Sequence, residues 1–165
     1  MRSFRRLLPL LALPLVIVAC DSNDDEDDKR CYSRSSSGQA CFEVTESVVG
    51  TGATPDRARA DSVFVRYVGR IQGSAEFDRG AFGFRLREGE VIPGFLYGVG
   101  GYTFDDGTTV APMKVGGKRL VKIPAELAYG EREIRNQQGF VVIPRNSDLE
   151  FDIELTGVKP RTTSN

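Results

Sequence analysis

The apolar positions between Gly89 and Val99 predict one short helix. The i, i+3, i+4, i+7 spacing of a single helix face is met by Ile92, Phe95, Leu96 and Val99. Pro93 suits the first helical position, where its fixed φ fits and its missing N–H costs nothing. Glycines at 98, 100 and 101 oppose continuation, so the helix should span about two turns. A helix this short is not stable alone in water, so other elements must enclose it.

Alternating apolar and polar positions predict strands on both sides of this helix. In 62–71, Val63, Val65 and Tyr67 alternate with arginines. In 149–155, apolar residues alternate with Glu150, Asp152 and Glu154, which is typical of a strand with one buried face. We interpret this acidic face as solvated, with pairing to Lys118 and Lys122 as the alternative. Further strands are predicted at 42–49, around 75–78, from 82 to 86, and at 118–123 with a basic outer side.

The remaining segments predict turns and loops. Residues 101–112 are turn-rich, with a turn at Asp105-Asp106-Gly107. Residues 124–129 suit one helical turn, and 130–145 suit a long loop. The predicted fold class is therefore α+β: a five- or six-stranded antiparallel half-barrel sheet wrapped around one short helix.

The amino-terminal segment predicts an export signal. Three arginines precede a short apolar run that ends at Ile17-Val18-Ala19-Cys20. This boundary resembles the bacterial lipobox, which implies cleavage before Cys20 and lipidation of that cysteine. An ordinary signal peptide with a chance cysteine is the alternative. The first interpretation places the protein in a bacterial cell envelope, lipid-anchored and facing the periplasm or the exterior.

An acidic segment follows the predicted lipidation site. Residues 21–30 hold six carboxylates and no apolar side chain, which favours a solvated tether over a calcium site. In an oxidising compartment Cys31 and Cys41 are expected to form a disulfide, although two free or intermolecularly paired thiols are the alternative. The predicted organisation is a signal peptide at 1–19, a tether at 20–41, a domain at 42–160 and a disordered tail at 161–165.

Charge and composition restrict the chemistry. The formal net charge of the 165 residues is −1, so no basic surface is expected and nucleic acid is not an expected partner. The chain has no histidine, which removes the usual general base, the Ser-His and Cys-His pairs, and the commonest metal ligand. We expect neither a metal nor a cofactor, and we expect a monomer.

Seven short motifs occur in an order that resembles one family. They are Tyr67-Val68-Gly69, Glu76-Phe77-Asp78, Gly89 to Phe95, Met113 to Arg119, Ile123 to Gly130, Ile143-Pro144 and Leu149 to Leu155. Together they resemble the FKBP-type peptidyl-prolyl cis–trans isomerases over about 42–159. The resemblance implies a half-barrel around a short helix and an aromatic pocket that accelerates rotation about Xaa-Pro bonds. It also implies proline-containing polypeptide clients, and rapamycin or tacrolimus as ligands.

The resemblance assigns expected roles to ten residues. It implies catalytic roles for Tyr67 in the pocket wall, Phe77 and a buried Asp78 in the Phe-Asp pair, and Tyr129 as a hydroxyl donor. The Ile92 N–H should donate to a ligand beside Val91 at the pocket entrance. Substrate-binding roles are implied for Phe82, Val91, Ile92, Phe95, Ile143 and Phe151.

The chain departs from the family pattern at three places. Phe95 stands where many members have tryptophan at the pocket floor, the segment 101–112 is an insertion, and 136–142 at the flap tip is unfamiliar. Three hypotheses therefore stay open. They are an isomerase of exported proteins, a proline-peptide binding module or chaperone with negligible turnover, and a structural lipoprotein whose rings are only core.

Overall fold

The computed structural model describes residues 30–34 and 41–162. Ten strands and one α-helix occupy these ranges, and they are β1 (Arg30–Arg34), β2 (Cys41–Val48), β3 (Ser62–Ile71), β4 (Glu76–Arg85), α1 (Pro93–Gly100), β5 (Tyr102–Thr103), β6 (Thr109–Val110), β7 (Lys118–Ile123), β8 (Ile134–Arg135), β9 (Val141–Ile143) and β10 (Leu149–Lys159). A 3-10 helix at Ala125–Leu127 follows β7. Within these residues, no helix combines the length and the apolarity needed to cross a membrane.

Six strands form one antiparallel sheet. Their order is β1-β2-β7-β10-β3-β4, so the long strands β3 and β10 are neighbours near its middle. Their register places Val65 opposite Leu155 and Tyr67 opposite Ile153, which puts their apolar side chains on the same face. The predicted antiparallel sheet with one short helix is confirmed.

Helix α1 packs on the apolar face of this sheet. It begins at Pro93, as the proline signal predicts, and buries Phe95, Leu96 and Val99. Gly94 and Gly98 face Ile123 and Val121 of β7 at distances that leave no room for a Cβ atom. The core therefore forms between α1 and the strands, and glycines set how closely they approach.

The opposite face of the sheet is covered by charged side chains. Arg70 Nη1 lies 2.6 Å from Asp152 Oδ2, and Arg66 lies 3.9 Å from Glu154. Lys122 pairs with Glu43 at 3.0 Å. The acidic side chains of β10 therefore pair with arginines of β3, whereas the alternative named from the sequence was pairing with lysines of β7.

Arg119 is an exception to the basic outer side predicted for β7. Its side chain is 4% exposed, and its Nη1 donates to the carbonyl oxygens of Gly98 at 2.7 Å and Ala111 at 2.9 Å. This guanidinium joins the end of α1 to the end of the insertion. Strand alternation places Arg119 on the inner face, where it donates to these carbonyls and its Nη2 lies 3.4 Å from Glu46 Oε1.

The two segments predicted as loops each contain a small hairpin. The insertion forms β5 and β6 around the predicted turn at 105–107, and residues 130–145 contain β8 and β9. Strands of two or three residues are too short to leave an alternation signal, so the sequence predicted only turns and loop there. The tail predicted to be disordered starts within the described residues, where the N–H of Arg161 donates to Asp61.

Candidate functional site

Tyr67 and Asp78 form one wall of the candidate site. Tyr67 is on β3 and Asp78 is on the neighbouring strand β4, and the tyrosine hydroxyl donates to Asp78 Oδ2 at 2.5 Å. Burial raises the pKa of Tyr67 to about 12, with a further contribution from this hydrogen bond. Asp78 is exposed, so the expectation of a buried aspartate is wrong. Asp78 lies near the edge of the sheet, and the Tyr67 hydroxyl donates to only one of its two carboxylate oxygens, Oδ2.

Phe95 of α1 is the centre of an aromatic cluster. Its ring contacts Phe151 of β10 at 5.2 Å between centroids and Tyr67 at 6.1 Å, both edge-to-face. Phe82 lies 6.0 Å from Phe95, and Phe77 lies 5.8 Å from Phe151. Edge-to-face pairs of this kind fix ring orientation as well as burying area. The cluster therefore gives the site rigid apolar walls.

The rings line a cavity of about 210 Å³ that is open to solvent. This is smaller than a typical drug-sized site of roughly 300–1,000 Å³, and it suits a single ring-sized group. The lining residues come from β3, β4, α1 with its approach, the segment after β7, and β10. They are Tyr67, Phe77, Asp78, Phe82, Glu90, Val91, Ile92, Phe95, Tyr129 and Phe151.

Two hydrogen-bond donors at this cavity have no acceptor within the described part of the chain. One is the hydroxyl of Tyr129, which follows the 3-10 helix, and the other is the N–H of Ile92, which directly precedes α1. Burial raises the pKa of Tyr129, and the negative charge of Asp78 adds to this effect. The Tyr129 hydroxyl therefore stays protonated at neutral pH. Both donors can hold carbonyl oxygens of a bound peptide.

Nine of the ten predicted site residues line this cavity, and Ile143 does not. Its side chain is 2% exposed and belongs to the core. Ile143 pairs with Ile134 in the β8–β9 hairpin, whose alternation turns this side chain inward. The geometry therefore gives no support to a substrate contact by Ile143.

The sequence did not indicate Glu90 as a site residue. Glu90 lines the cavity directly before Val91 and Ile92, and Arg87 holds its carboxylate. Its position beside the predicted entrance pair was the available signal. A charged residue before a helix is common, so nothing in the pattern alone separated it from an ordinary surface glutamate.

The cysteine predictions fall mostly outside the described residues. Cys41 is disulfide-bonded. Cys31 has its backbone in β1, opposite Glu43 of β2, but its side chain is outside the described part, so the Cys31–Cys41 pairing stays a prediction. Cys20 also lies outside the described residues.

A larger hollow of about 590 Å³ lies on the charged face of the sheet. Its lining includes Arg66, Arg79 and Lys118 together with Asp152 and Glu154. Charges of both signs alternate there and several are paired across strands, as described above. The smaller cavity is the candidate site because, among the residues that the structure describes, it is where the rings and the two unpartnered donors converge.

An antiparallel sheet packed on one short helix, with a ring-lined cavity beside both, places the described residues in the structural class of half-barrel proteins. The model of the FKBP-type peptidyl-prolyl cis-trans isomerases matches residues 55–156. The chain belongs to this family.

Two relatives show how far the similarity extends. The chain is 40% identical over 131 residues to the chloroplastic peptidyl-prolyl cis-trans isomerase FKBP13 of Arabidopsis thaliana, covering 76% of this chain and 58% of that protein. It is 36% identical over 113 residues to FK506-binding protein 4 of Saccharomyces cerevisiae, covering 66% of this chain and 24% of that protein. The chain thus spans little more than half of the first relative and a quarter of the second.

Solved structures agree with the fold. The crystal structure of AtFKBP13 superposes with a TM-score of 0.60 at 36% identity, covering 76% of this chain and 96% of that one. FkpA from Escherichia coli gives a TM-score of 0.55 at 33% identity, covering 81% of this chain and 54% of that one.

Proposed function

We propose that this protein is a peptidyl-prolyl cis–trans isomerase that acts on Xaa-Pro bonds of exported polypeptides. The observation that carries the proposal is the cavity itself. Aromatic rings line it, it is open, and two donors, Tyr129 Oη–H and Ile92 N–H, have no acceptor among the described residues. Membership of the isomerase family supports the proposal.

The chemistry suits an apolar cavity. Rotation about an Xaa-Pro bond must abandon amide resonance, across a barrier of about 18–20 kcal/mol. The twisted amide has less charge separation than the planar one. Surroundings without water therefore favour the twisted state over the ground state, which is differential binding. The step breaks no covalent bond, so it needs neither a nucleophile nor a general base.

The residues that line the cavity have two proposed roles: the rings hold the proline, and the polar groups orient the peptide. Phe77, Phe82, Phe95 and Phe151 hold the proline ring, while Tyr129 and the Ile92 N–H hold carbonyl oxygens. The hydroxyl of Tyr67, fixed by Asp78, orients the wall beside them. Rapamycin and tacrolimus are proposed ligands that would place only one ring-sized group in this cavity, and a relative carries the name FK506-binding protein 4.

An isomerisation assay with the full chain on an Xaa-Pro peptide tests the proposal. Tyr129→Phe removes one donor, and we expect kcat/KM to fall by roughly three- to tenfold, the value of one hydrogen bond. Phe77→Ala removes one wall and should lower kcat/KM further. Tyr102→Phe, which removes a hydroxyl in the insertion hairpin, is the matched control and should leave the rate unchanged.

Binding without acceleration would favour a different function. A proline peptide that binds with no increase in rate indicates a binding module or chaperone. Neither binding nor acceleration would mean that the rings serve only as core.

We also propose that the domain is a bacterial lipoprotein anchored through Cys20 and facing the periplasm or the exterior. The support is the pattern of the first 30 residues: arginines, a short apolar run, a lipobox-like boundary and an acidic segment. Labelled palmitate should be incorporated into the wild-type protein and not into Cys20→Ser in a bacterial host. Labelling of both, or of neither, would contradict the proposal.

Two further features belong to this proposal. Cys31 and Cys41 form a disulfide that closes a short loop before the domain, and the protein is a monomer. Peptide mapping without reduction should recover the two cysteines in one linked fragment. Sedimentation of the full chain in detergent should give the mass of a single copy.

A further inference from the structure

The charged groups that line the candidate cavity are all acidic. Ten described residues line it, and only Asp78 and Glu90 among them carry a formal charge. The chain as a whole is nearly neutral, with 22 basic and 23 acidic residues. The acidic lining is therefore a local property of this site. A neutral proline ring does not require it.

Glu90 has a free carboxylate oxygen. Arg87 donates to Glu90 from Nε at 2.7 Å and approaches it with Nη2 at 2.6 Å, and both nitrogens reach the same oxygen, Oε1. Oε2 has no hydrogen bond among the residues that the structure describes. The Glu90 side chain is 26% exposed and that of Arg87 is 57% exposed. Glu90 is thus oriented by its partner without being fully neutralised.

Asp78 presents a second oxygen in the same way. Its Oδ2 accepts the Tyr67 hydroxyl, while Oδ1 has no hydrogen bond within the described ranges. Arg132 affects Tyr129 electrostatically but does not line the cavity. The lining therefore offers carboxylate oxygens that can bind a cation. Among the described residues that line the cavity, none carries a positive charge that could bind an anion.

We propose that Glu90 and Asp78, which both line the cavity, make the site select polypeptide segments that carry lysine or arginine next to the proline. This inference rests on the proposed function and names its substrate class. A cationic side chain beside the bound proline forms an ion pair with the free Oε2 of Glu90. An acidic side chain at that position meets two carboxylates, of which Glu90 has Arg87 as its partner and Asp78 accepts only the neutral hydroxyl of Tyr67.

The expected selectivity is moderate because the carboxylates face water. Unit charges about 6 Å apart at a wet surface change binding by a few-fold each, and salt screens them. Substituting lysine for glutamate in the peptide changes the charge by two units. We therefore expect kcat/KM to be on the order of five- to tenfold higher for Lys-Pro than for Glu-Pro at low salt, and this ratio to shrink at high salt.

Matched peptides and variants of the full chain test the inference. Peptides with Lys, Gln or Glu before proline differ mainly in charge, and we expect kcat/KM to fall in that order. Glu90→Gln should bring the Lys-to-Glu ratio toward one. Arg87→Gln removes the partner of Glu90, and it should widen the ratio.

Glu88→Gln is the matched control because it makes the same charge change two residues away. Glu88 pairs with Arg57 and does not line the cavity. It should leave the Lys-to-Glu ratio at the wild-type value. If Glu88→Gln and Glu90→Gln reduce the ratio equally, only the general field of the protein selects charge, and the inference is overturned.

The test separates this inference from the proposed function. Equal acceleration of all three peptides by the wild type keeps the isomerase and overturns the charge selection. If no peptide is accelerated, the isomerase proposal fails, and the dissociation constants of the same peptides decide the inference instead. Equal dissociation constants for Lys-Pro and Glu-Pro would then overturn it.

Discussion

Tyr67 and Asp78 show that the surroundings of a residue decide whether its side chain is buried or exposed. Tyr67 was expected at the pocket wall, and the structure places it there with its hydroxyl on Asp78. Asp78 was expected to be buried and is exposed, because β4 lies at the edge of the sheet. The resemblance predicted that both residues lie at the pocket, and the position of β4 in the sheet decided the exposure of Asp78.

The pKa of Tyr67 predicts a loss of stability at alkaline pH. The folded-state pKa of about 12 is above the unfolded value of about 10, because burial and the hydrogen bond to Asp78 disfavour the anion. The stability from the protonated form is complete below pH 10 and is lost as the pH rises from 10 to 12. Urea unfolding should show that Tyr67→Phe loses less stability than the wild type between pH 9 and pH 11.

Tyr102→Phe provides the control for that measurement. Tyr102 stacks on Tyr97 in the insertion hairpin, away from Asp78. The Tyr102 hydroxyl adds to the raised pKa of Tyr97, so the variant should lose slightly less stability than the wild type in alkali while keeping the loss that depends on Tyr67. A Tyr67→Phe protein that loses as much stability as the wild type would show that Tyr67 does not contribute to this linkage.

Among the elements, the helix was predictable and the small hairpins were not. Helix α1 has a spacing signal, a proline at its start and glycines at its end, all local in sequence. The insertion hairpin is held by contacts with distant residues. The ring centroids of Tyr102 and Tyr97 are 3.9 Å apart. The guanidinium carbon of Arg57 lies 5.1 Å from the centroid of Tyr97 and 5.0 Å from that of Tyr102. A local sequence pattern does not indicate that Tyr102 contacts Arg57, which lies more than forty residues earlier in the chain.

The close approach of α1 to β7 predicts that Gly94→Ala is destabilising. A Cβ atom at position 94 would lie 2.3 Å from Ile123 Cγ2, so helix or strand must shift. Overpacking of this kind costs about 1–3 kcal/mol, which outweighs the roughly 1 kcal/mol by which alanine favours a helix over glycine. Urea unfolding of the variant measures the difference.

Gly80→Ala is the comparison at a position with room. A Cβ atom there would meet nothing closer than Tyr67 Cε1 at 3.5 Å, an ordinary contact. Its free energy of unfolding should stay within about 0.5 kcal/mol of the wild type or rise. A Gly94→Ala protein as stable as Gly80→Ala would contradict the tight packing of α1.

For the molecule as a whole, Asp61 joins segments that are far apart in sequence. Its side chain is 1% exposed and accepts from the N–H of Asp56 at 2.9 Å and of Arg161 at 3.0 Å. Arg59 Nη2 lies 3.4 Å away. Burial raises the pKa of Asp61, but these hydrogen bonds and the Arg59 charge together outweigh it and hold the pKa below its usual range.

Asp61→Asn is expected to lower stability by about 1–3 kcal/mol at pH 7, because an amide replaces a charged acceptor of several donors. A depressed folded-state pKa gives stability that is present above the unfolded value of about 3.9 and is lost as the pH falls through the folded value. The difference between variant and wild type should therefore narrow in acid. Chemical unfolding at pH 7 and pH 3 measures it.

Asp105→Asn is the control, since Asp105 is an exposed residue in the turn of the insertion hairpin. It should remain within about 0.5 kcal/mol of the wild type at both pH values. An equal loss for Asp61→Asn at pH 7 and pH 3 would show that the ionised form of Asp61 is not what stabilises the fold.

The sequence by itself determined the elements that have a local signal. Periodicity of 3.6 and of 2 located α1 and the long strands, and the motif order predicted nine residues of the cavity lining. The elements depend on which side of a helix or strand a residue occupies, and spacing specifies that, whereas the lining residues were predicted from the resemblance to a family.

Only the tertiary structure decided exposure, pairing and charge at the site. Ile143 turned into the core, Arg119 became buried under the end of α1, and Glu90 joined the cavity beside Val91. Each outcome depends on atoms contributed by elements distant along the chain. Burial and electrostatic energy follow distances in space, and those distances exist only once the sheet has closed over its helix.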